Sequence, residues 1–274
     1  MNNSTSKKET KMSFWEHLTV LRKHLIHMAL VLAVLTVVMF CCKDFIFDYI
    51  ILPPKSSDFI TNRWLCALAQ RFNIEGICGQ EQTLQVINVN MAGQFTTHIF
   101  ISAMMALIAG APYLIWEIWR FVKPALKKNE EKYAARTLLA ASLLFYTGVI
   151  FSYFLIIPMT INFLGNYQVS AEVVNMINLN SYISTIMNLM LAVGLIFELP
   201  IVVYFLSKIG IVTPALMKKY RKIMIVVIFF VAAVITPPDV FSQVMVAIPL
   251  LLLYEIGILI STVVGRKRVG SSEI

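Results

Sequence analysis

Charged side chains are scarce in this 274-residue chain: they make up 14% of it, against about 25% in an average soluble domain. Hydrophobic residues make up 58%, and the mean hydropathy is +0.76. These values exclude a soluble globular enzyme and a disordered chain, and four cysteines are too few for a disulfide scaffold. The composition indicates an all-α polytopic membrane protein, with residues 1–274 as a single membrane-embedded domain.

The sequence also lacks the motifs of enzymes and metal sites. It contains no glycine-rich phosphate loop, no His-Glu-x-x-His and no Gly-x-Ser-x-Gly, and its four histidines are not spaced as metal ligands. We therefore expect no catalytic residue, no metal and no cofactor. The net charge of +8 could suggest nucleic-acid binding, but the basic residues lie at the ends of apolar runs, as they do in membrane proteins.

Six apolar runs are candidates for membrane-spanning helices, each of which needs about 20 residues. The runs are Leu25–Cys42, Gly93–Trp119, Thr137–Ile157, Tyr182–Leu206, Ile223–Ile235 and Val240–Val264. No small-residue cleavage site follows the first run, so we interpret it as a retained span. Because Pro237 and Pro238 follow the fifth run, we predict six transmembrane helices of which the last two are short.

Lysine and arginine are distributed unevenly between the two sides that six crossings define. Nineteen of the 23 lie in the N-terminus to Lys23, Arg120–Arg136, Lys208–Lys222 and Arg266–Arg268. The positive-inside rule then makes residues 1–24 and the tail 265–274 cytoplasmic, and residues 43–92 an external loop that caps the bundle. A re-entrant hairpin made of the last two runs fits the same pattern, so that alternative stays open.

The external loop combines a helical pattern with two cysteines. Trp64, Leu65 and Leu68 recur near helical spacing, which predicts a short amphipathic helix; an irregular loop is the alternative. Cys66 and Cys78 both lie in this loop. In an oxidising periplasm a disulfide between them is feasible, and two free thiols are the alternative.

Polar residues within the apolar runs need an explanation, because a polar group in lipid is energetically costly. Glu198 in the fourth run is a functional candidate that we expect to be uncharged at rest; a structural carboxyl bonded to a neighbouring helix is the alternative. We expect Glu117, which lies between two tryptophans, to snorkel to the interface. His27 and His98 are expected to form hydrogen bonds inside the bundle.

Five stretches of the chain carry a family resemblance. In chain order they are Ser13–Leu25, Phe121–Glu130, Phe197–Pro200, Gly210–Pro214 and Thr236–Gln243. They resemble the N-terminal signature, the first cytoplasmic loop, the fourth helix, the second cytoplasmic loop and the last external turn of the TatC family. TatC is the multispanning subunit of the twin-arginine translocase, and the match runs in order from Phe14 to about Gly265.

The resemblance implies a function and a set of partners. TatC proteins of the bacterial inner membrane recognise twin-arginine signal peptides of folded precursors at the cytoplasmic face. They recruit single-span TatA/TatB-type subunits, and the proton-motive force drives translocation. The implied partners are precursor proteins, these single-span subunits, membrane lipid and further copies of this chain within a receptor complex.

The resemblance also assigns the residues that bind the signal peptide. Glu130 is implied as one of the carboxylates that bind the two guanidiniums, beside Phe121 and Pro124. Val20 occupies the position at which the family usually has a second glutamate. Glu16, four residues earlier on the same helical face, is the candidate substitute.

The remaining assignments lie in the N-terminal signature, the membrane and the external turn. Arg22 belongs to the N-terminal signature and is assigned to signal-peptide binding. Glu198 matches the membrane glutamate of the family. Pro237, Pro238 and Asp239 match the external turn, in which Asp239 is expected to act as a cap.

Two other classes of membrane protein are alternatives to a translocase subunit. A proton-coupled secondary transporter would account for Glu198 and the short fifth run, but it predicts internal repeats and a second midplane polar group, and we find neither in the sequence. A membrane insertase would need a basic residue inside a hydrophilic groove, and no lysine or arginine lies within a run. Both therefore rank below a translocase subunit.

A disulfide between Cys66 and Cys78 is a first testable prediction. Closing a loop of this size stabilises a fold by about 3 kcal/mol in the chain-entropy model. Mass spectrometry of protein alkylated without reduction should find neither of these two cysteines alkylated. Alkylation of both would contradict the pairing, and Cys41 and Cys42 serve as internal controls for the reaction.

Overall fold

Helices dominate this computed structural model, which describes residues 14–71, 85–122, 134–170, 175–236 and 240–270. The α-helices are α1 (Phe14–Cys41), α2 (Lys43–Ile46), α3 (Ile60–Arg71), α4 (Gly93–Val122), α5 (Ala134–Phe151), α6 (Ile157–Asn166), α7 (Leu179–Ile196), α8 (Leu199–Ile209), α9 (Pro214–Lys219), α10 (Arg221–Ile235) and α11 (Val240–Gly270). Two π-helical turns, Phe47–Ile51 and Ser152–Ile156, and a 3₁₀ turn, Pro53–Lys55, adjoin them.

Within the described ranges, five helical segments are long and apolar enough to cross a membrane. They are Leu18–Cys41, Gly93–Phe121, Thr137–Asn166, Leu179–Ile209 and Ser242–Arg266. They correspond to the first, second, third, fourth and sixth apolar runs of the sequence. The fifth run forms α10, whose 15 residues extend for about 22 Å at 1.5 Å per residue. This helix is therefore the short one.

The last helix is longer than the sequence analysis predicted. α11 has 31 residues, continues through Pro249 and includes residues 265–270, which were expected to form a tail. The prediction that both final helices are short is therefore wrong, because only α10 is short.

The third crossing is also longer than predicted. It continues from α5 through the π-helical turn Ser152–Ile156 into α6 and ends at Asn166 rather than at Ile157. Pro158 has no N–H to donate to the preceding turn, and the carbonyl oxygen of Phe154, four residues earlier, accepts a hydrogen bond from the Thr61 hydroxyl instead. A proline that the sequence presents as a stop is thus accommodated inside the crossing.

The fourth crossing is broken between α7 and α8. Pro200 lies in the first turn of α8 and has no N–H to continue the hydrogen-bond pattern. The amides of Ile201 and Val202 both donate to the carbonyl oxygen of Glu198, at 3.0 and 3.1 Å. Glu198 therefore lies at the junction of the two helices.

The core of the bundle is built around α7. Its Ile183, Ile186 and Met187 are fully buried, and α7 packs against both α4 and α5. α5 and α7 approach each other closely at two glycines. A Cβ atom on Gly148 would lie 2.9 Å from the carbonyl oxygen of Val193, a contact too short for any side chain.

The short helix predicted within residues 43–92 is confirmed as α3. Asn162 of α6 donates to the Asn62 side chain at 2.7 Å, and the Thr61 hydroxyl donates to the carbonyl oxygen of Phe154. Trp64 on α3 is 72% exposed. α3 therefore lies against the end of the third crossing. We call this side of the bundle, which carries residues 43–71, the cap side, and the opposite side, where α1 begins, the basic side.

A two-residue parallel β-pair joins two separate connections on the cap side. β1 is Val86–Ile87 and β2 is Ile177–Asn178, with Val86 opposite Ile177. The sequence analysis did not predict these strands. Close by along the chain, the buried Tyr182 hydroxyl donates to the carbonyl oxygen of Ile51 at 2.8 Å. The cap side is thus held together by polar contacts as well as by α3.

The cysteines divide into two groups. Cys41 and Cys42 are free thiols, whereas Cys66 on α3 is disulfide-bonded. Cys78, the predicted partner of Cys66, lies outside the described residues. The Cys66–Cys78 pairing therefore stays a prediction for the alkylation experiment.

We predict that Gly148→Ala destabilises the bundle. The added Cβ would meet the backbone oxygen of Val193 at 2.9 Å and the Phe197 ring at 2.8 Å, so α5 and α7 must separate. Overpacking of this kind costs about 1–3 kcal/mol. Thermal unfolding in detergent should therefore show a lower Tm for this variant. Gly265→Ala is the control, since its nearest neighbour would lie at 3.8 Å; equal Tm values would contradict the close approach.

Candidate functional site

The basic side of α1 and α4 carries a buried polar contact. The two helices pack against each other and run antiparallel, since His24 contacts Glu117 while His98 contacts Phe40 further along the pair. The His24 imidazole donates through Nδ1 to Oε1 of Glu117 at 2.7 Å. Glu117 is only 2% exposed, so this contact lies inside the helix interface.

The expectation that Glu117 snorkels to the interface is wrong. Its side chain is buried between the helices because His24 supplies a partner there, and the carboxylate has no need to reach water. The second oxygen, Oε2, is also buried and has no hydrogen-bond partner in the part of the chain that the structure describes. Buried acceptors without partners are uncommon and energetically unfavourable. Glu117 therefore has unused capacity to accept hydrogen bonds.

Aromatic side chains surround this contact. The His24 ring meets the Phe121 ring edge-on, with centroids 6.1 Å apart. Trp119 packs on Phe205 of α8 at 4.5 Å, and the Arg120 guanidinium lies 5.6 Å from the Trp116 ring centroid. Such aromatic and basic side chains are typical of the membrane–water interface. The arrangement places the His24–Glu117 pair at the basic end of the bundle.

Glu198 occupies a different part of the molecule. It is half-buried at the junction of α7 and α8, and its Oε1 atom is buried with no hydrogen-bond partner among the described residues. The structure thus retains a polar group in the middle of the fourth crossing, as the sequence indicated. It lies on different helices from the His24–Glu117 pair.

The other predicted site residues are only partly within the described chain. Phe121 lies in the last turn of α4 and Arg22 is exposed on α1. The backbone of Glu16 belongs to the first turn of α1, but its side chain is outside the part of the chain that the structure describes. Residues outside the described ranges are Pro124, Glu130, Pro237, Pro238 and Asp239. Their assignments stay predictions.

We expected His27 and His98 to form hydrogen bonds inside the bundle, and only one of them does. His98 donates through Nε2 to the carbonyl oxygen of Phe40 at 3.1 Å and stacks on its ring at 3.9 Å, which confirms a bond inside the bundle. His27 is exposed and donates to the carbonyl oxygen of Lys23 in its own helix, so that expectation is wrong. Among the described residues, no cluster of three or more histidines, cysteines and acids could hold a metal ion.

Sequence reasoning missed the pairing of His24 with Glu117. A signal was available, because Glu117 falls inside the predicted second span and an acid within a span is a functional candidate on the same grounds as Glu198. The flanking tryptophans suggested an interface position instead. What the sequence alone could not show is that α1 packs on that face of α4.

Comparisons with known proteins agree with this architecture. The family model "TatC: Sec-independent protein translocase protein (TatC)" matches residues 16–249. The TatC protein of Blattabacterium sp. subsp. Periplaneta americana (strain BPLAN) is 37% identical over 262 residues, which is 95% of this chain and 98% of that protein. TatCy of Bacillus subtilis (strain 168) is 32% identical over 272 residues, covering 98% and 96%.

Solved structures show the same likeness. A crystal structure described as the twin arginine translocase receptor TatC in DDM has a TM-score of 0.72 and 31% identity, covering 90% of this chain and 99% of that one. A second crystal structure of this receptor has a TM-score of 0.68 and 30% identity, covering 91% and 99%. The helices and their order therefore define a multi-pass membrane subunit of a protein translocase.

The chain belongs to the TatC family, whose model covers it from residue 16 to residue 249. The relatives are named as Sec-independent protein translocase proteins. The family predicted from the five sequence stretches is confirmed, and so is an all-α protein with several membrane-spanning helices.

We predict that Glu198 acts as an uncharged hydrogen-bonding group. Glu198→Gln keeps the shape and an acceptor oxygen, so transport of a twin-arginine precursor should largely persist. Glu198→Ala removes the group and should lower transport about tenfold, the equivalent of one hydrogen bond. Leu195→Ala, at an exposed position on the same crossing, controls for lost volume. If Gln proves as damaging as Ala in a precursor transport assay, the uncharged role is wrong.

Proposed function

We propose that this protein carries out Sec-independent translocation of folded proteins across the bacterial inner membrane. It recognises twin-arginine signal peptides at the cytoplasmic face, recruits single-span TatA/TatB-type subunits and uses the proton-motive force. The observation that carries the proposal is the likeness to a crystal structure of the twin arginine translocase receptor, which extends over 90% of this chain with a TM-score of 0.72.

The proposed topology has six crossings, with α10 as the fifth. α10 packs along α11, and the Arg221 guanidinium at the start of α10 binds the Glu255 carboxylate of α11. Further along, the Gln243 side chain of α11 donates to the carbonyl oxygen of Phe229 at 3.0 Å. α10 thus runs antiparallel to α11 across the depth between these contacts, which supports a true crossing. At about 22 Å it is shorter than a hydrocarbon core of about 30 Å.

The proposed orientation places both termini in the cytoplasm. Nineteen of the 23 lysine and arginine residues belong to the four sequence segments that six crossings assign to one side of the membrane. Positive charge near the ends of membrane helices is retained on the cytoplasmic side. The basic side, which carries the His24–Glu117 pair, would then meet precursors before translocation, and the cap side would face the periplasm.

Glu130, together with Glu16, is proposed to bind the twin-arginine signal. Carboxylates bind guanidinium groups through paired, charge-assisted hydrogen bonds that ammonium groups cannot reproduce. Several lysines close to Glu130 in sequence would repel a cationic signal, so the carboxylate needs a partly desolvated pocket to be selective. Phe121 at the end of α4 and Arg22 on α1 are proposed to border that pocket.

The experiment that tests this role is Glu130→Gln. The variant loses charge-assisted hydrogen bonds of about 1.5–3 kcal/mol each, so crosslinking to a twin-arginine precursor should fall at least about tenfold. Glu16→Gln should lower it further. The neighbouring acid Glu131, changed to Gln, is the matched control and should leave crosslinking unchanged. Unaltered precursor affinity in Glu130→Gln, with normal membrane insertion, would reject the recognition role.

A further inference from the structure

The buried carboxylate of Glu117 is only half used. Oε1 accepts a hydrogen bond from His24, while Oε2 has no partner among the described residues although the side chain is only 3% exposed. A planar group with two parallel N–H donors would satisfy both oxygens at once. Guanidinium is the side-chain group with that geometry.

We propose that Glu117 is a further guanidinium-binding acid of the signal-peptide site, with His24 as the residue that occupies one of its two oxygens until the signal arrives. This inference rests on the proposed recognition of twin-arginine signals. Two guanidiniums carry ten N–H donors, whereas two carboxylates offer only about eight lone-pair positions. A third carboxylate is therefore useful in a pocket from which water is partly excluded.

The position of Glu117 fits this role. Residues four apart on a helix lie on one face, so Val20 lies one turn before His24 on α1 and Phe121 lies one turn after Glu117 on α4. Because α1 and α4 are antiparallel, Val20 and Phe121 occupy one layer at the basic end, and His24 and Glu117 occupy the next. Glu117 thus lies one turn deeper than the position at which the family resemblance predicts an acid.

His24 occupies one of the two oxygens in the resting protein. Its side chain is 13% exposed, and its ring lies edge-on to Phe121 of the outer layer. Rotation of the imidazole away from Glu117 would open Oε1 while Oε2 is already free of partners in the described chain. Glu117 then loses one hydrogen bond from His24 and gains two parallel hydrogen bonds from the guanidinium.

A purely structural ion pair makes different predictions. If the contact only stabilises the packing of α1 on α4, removing either partner has the same effect, and the effect does not depend on the signal sequence. If Glu117 binds guanidinium, only the acid is essential. Loss of the histidine removes a competitor rather than a ligand. Replacing Glu117 then weakens binding of a signal with two lysines less than binding of a signal with two arginines.

The test measures the affinity of the full-length protein in membranes for a precursor with a twin-arginine signal and for the same precursor with two lysines. Glu117→Gln should weaken binding of the arginine form about tenfold, the equivalent of one charge-assisted bond, and should weaken binding of the lysine form much less.

Val20→Glu added to this variant should restore binding, because it supplies a carboxylate one turn away. His24→Leu should bind at least as tightly as the parent. Glu255→Gln, an acid paired with Arg221 on the same side, should bind as the parent does.

The possible results separate this inference from the proposed function. Unchanged binding in Glu117→Gln, while Glu130→Gln loses binding, rejects the role of Glu117 and leaves the recognition function standing. Equal losses in Glu117→Gln and His24→Leu, or failure of Val20→Glu to restore binding, identify a structural pair and also reject it. If the parent protein does not distinguish two arginines from two lysines, the recognition function itself is wrong, and the inference falls with it.

Discussion

The absence of water inside a bilayer is the constraint on which this structure depends. Each backbone N–H and C=O at that depth needs a partner from the protein itself, and the same holds for irregular backbone that is buried within the protein on the cap side. The π-helical turn Phe47–Ile51 exposes carbonyl oxygens, and Tyr182 and Tyr153 donate to those of Ile51 and Tyr49. Packing and hydrogen bonding therefore act together: the rings fill space in the core, while the hydroxyls satisfy the backbone where the helix departs from regular geometry.

The same constraint makes the few unsatisfied acids informative. Most hydroxyls within the crossings bond to a carbonyl of their own helix, as Thr36, Ser142 and Thr262 do, and so need no second helix. A carboxylate cannot be satisfied in this way, because helix carbonyls are acceptors, and even an uncharged carboxyl keeps a C=O oxygen that needs a donor. Glu117 and Glu198 keep a buried oxygen without a partner in the described chain. One lies at the end of a crossing and the other near a helix break, so the two acids face different environments within one membrane.

Sequence patterns predicted the crossings better than their ends. Apolar runs give the five long segments because hydropathy is a property of the chain itself. The third crossing continues past Pro158, where the Thr61 hydroxyl of α3 donates to the carbonyl oxygen of Phe154. α11 continues past its apolar run to Gly270, and a hydropathy window detects neither continuation. The burial of Glu117 depends on which face of α4 receives α1, and the β1–β2 pair depends on two connections meeting. These are properties of assembly between segments, and a single sequence carries little information about them.

The β1–β2 pair also sets an order of events during biosynthesis. Its partners Val86 and Ile177 are about 90 residues apart, so a ribosome that adds about 5–20 residues per second needs several seconds to go from one to the other. In that interval the second and third crossings must already have entered the membrane, since they lie between the strands. The β1–β2 pair therefore forms only after both of these crossings have inserted. A chain in which only one of these two crossings inserts would leave β1 and β2 unpaired on opposite sides of the bilayer.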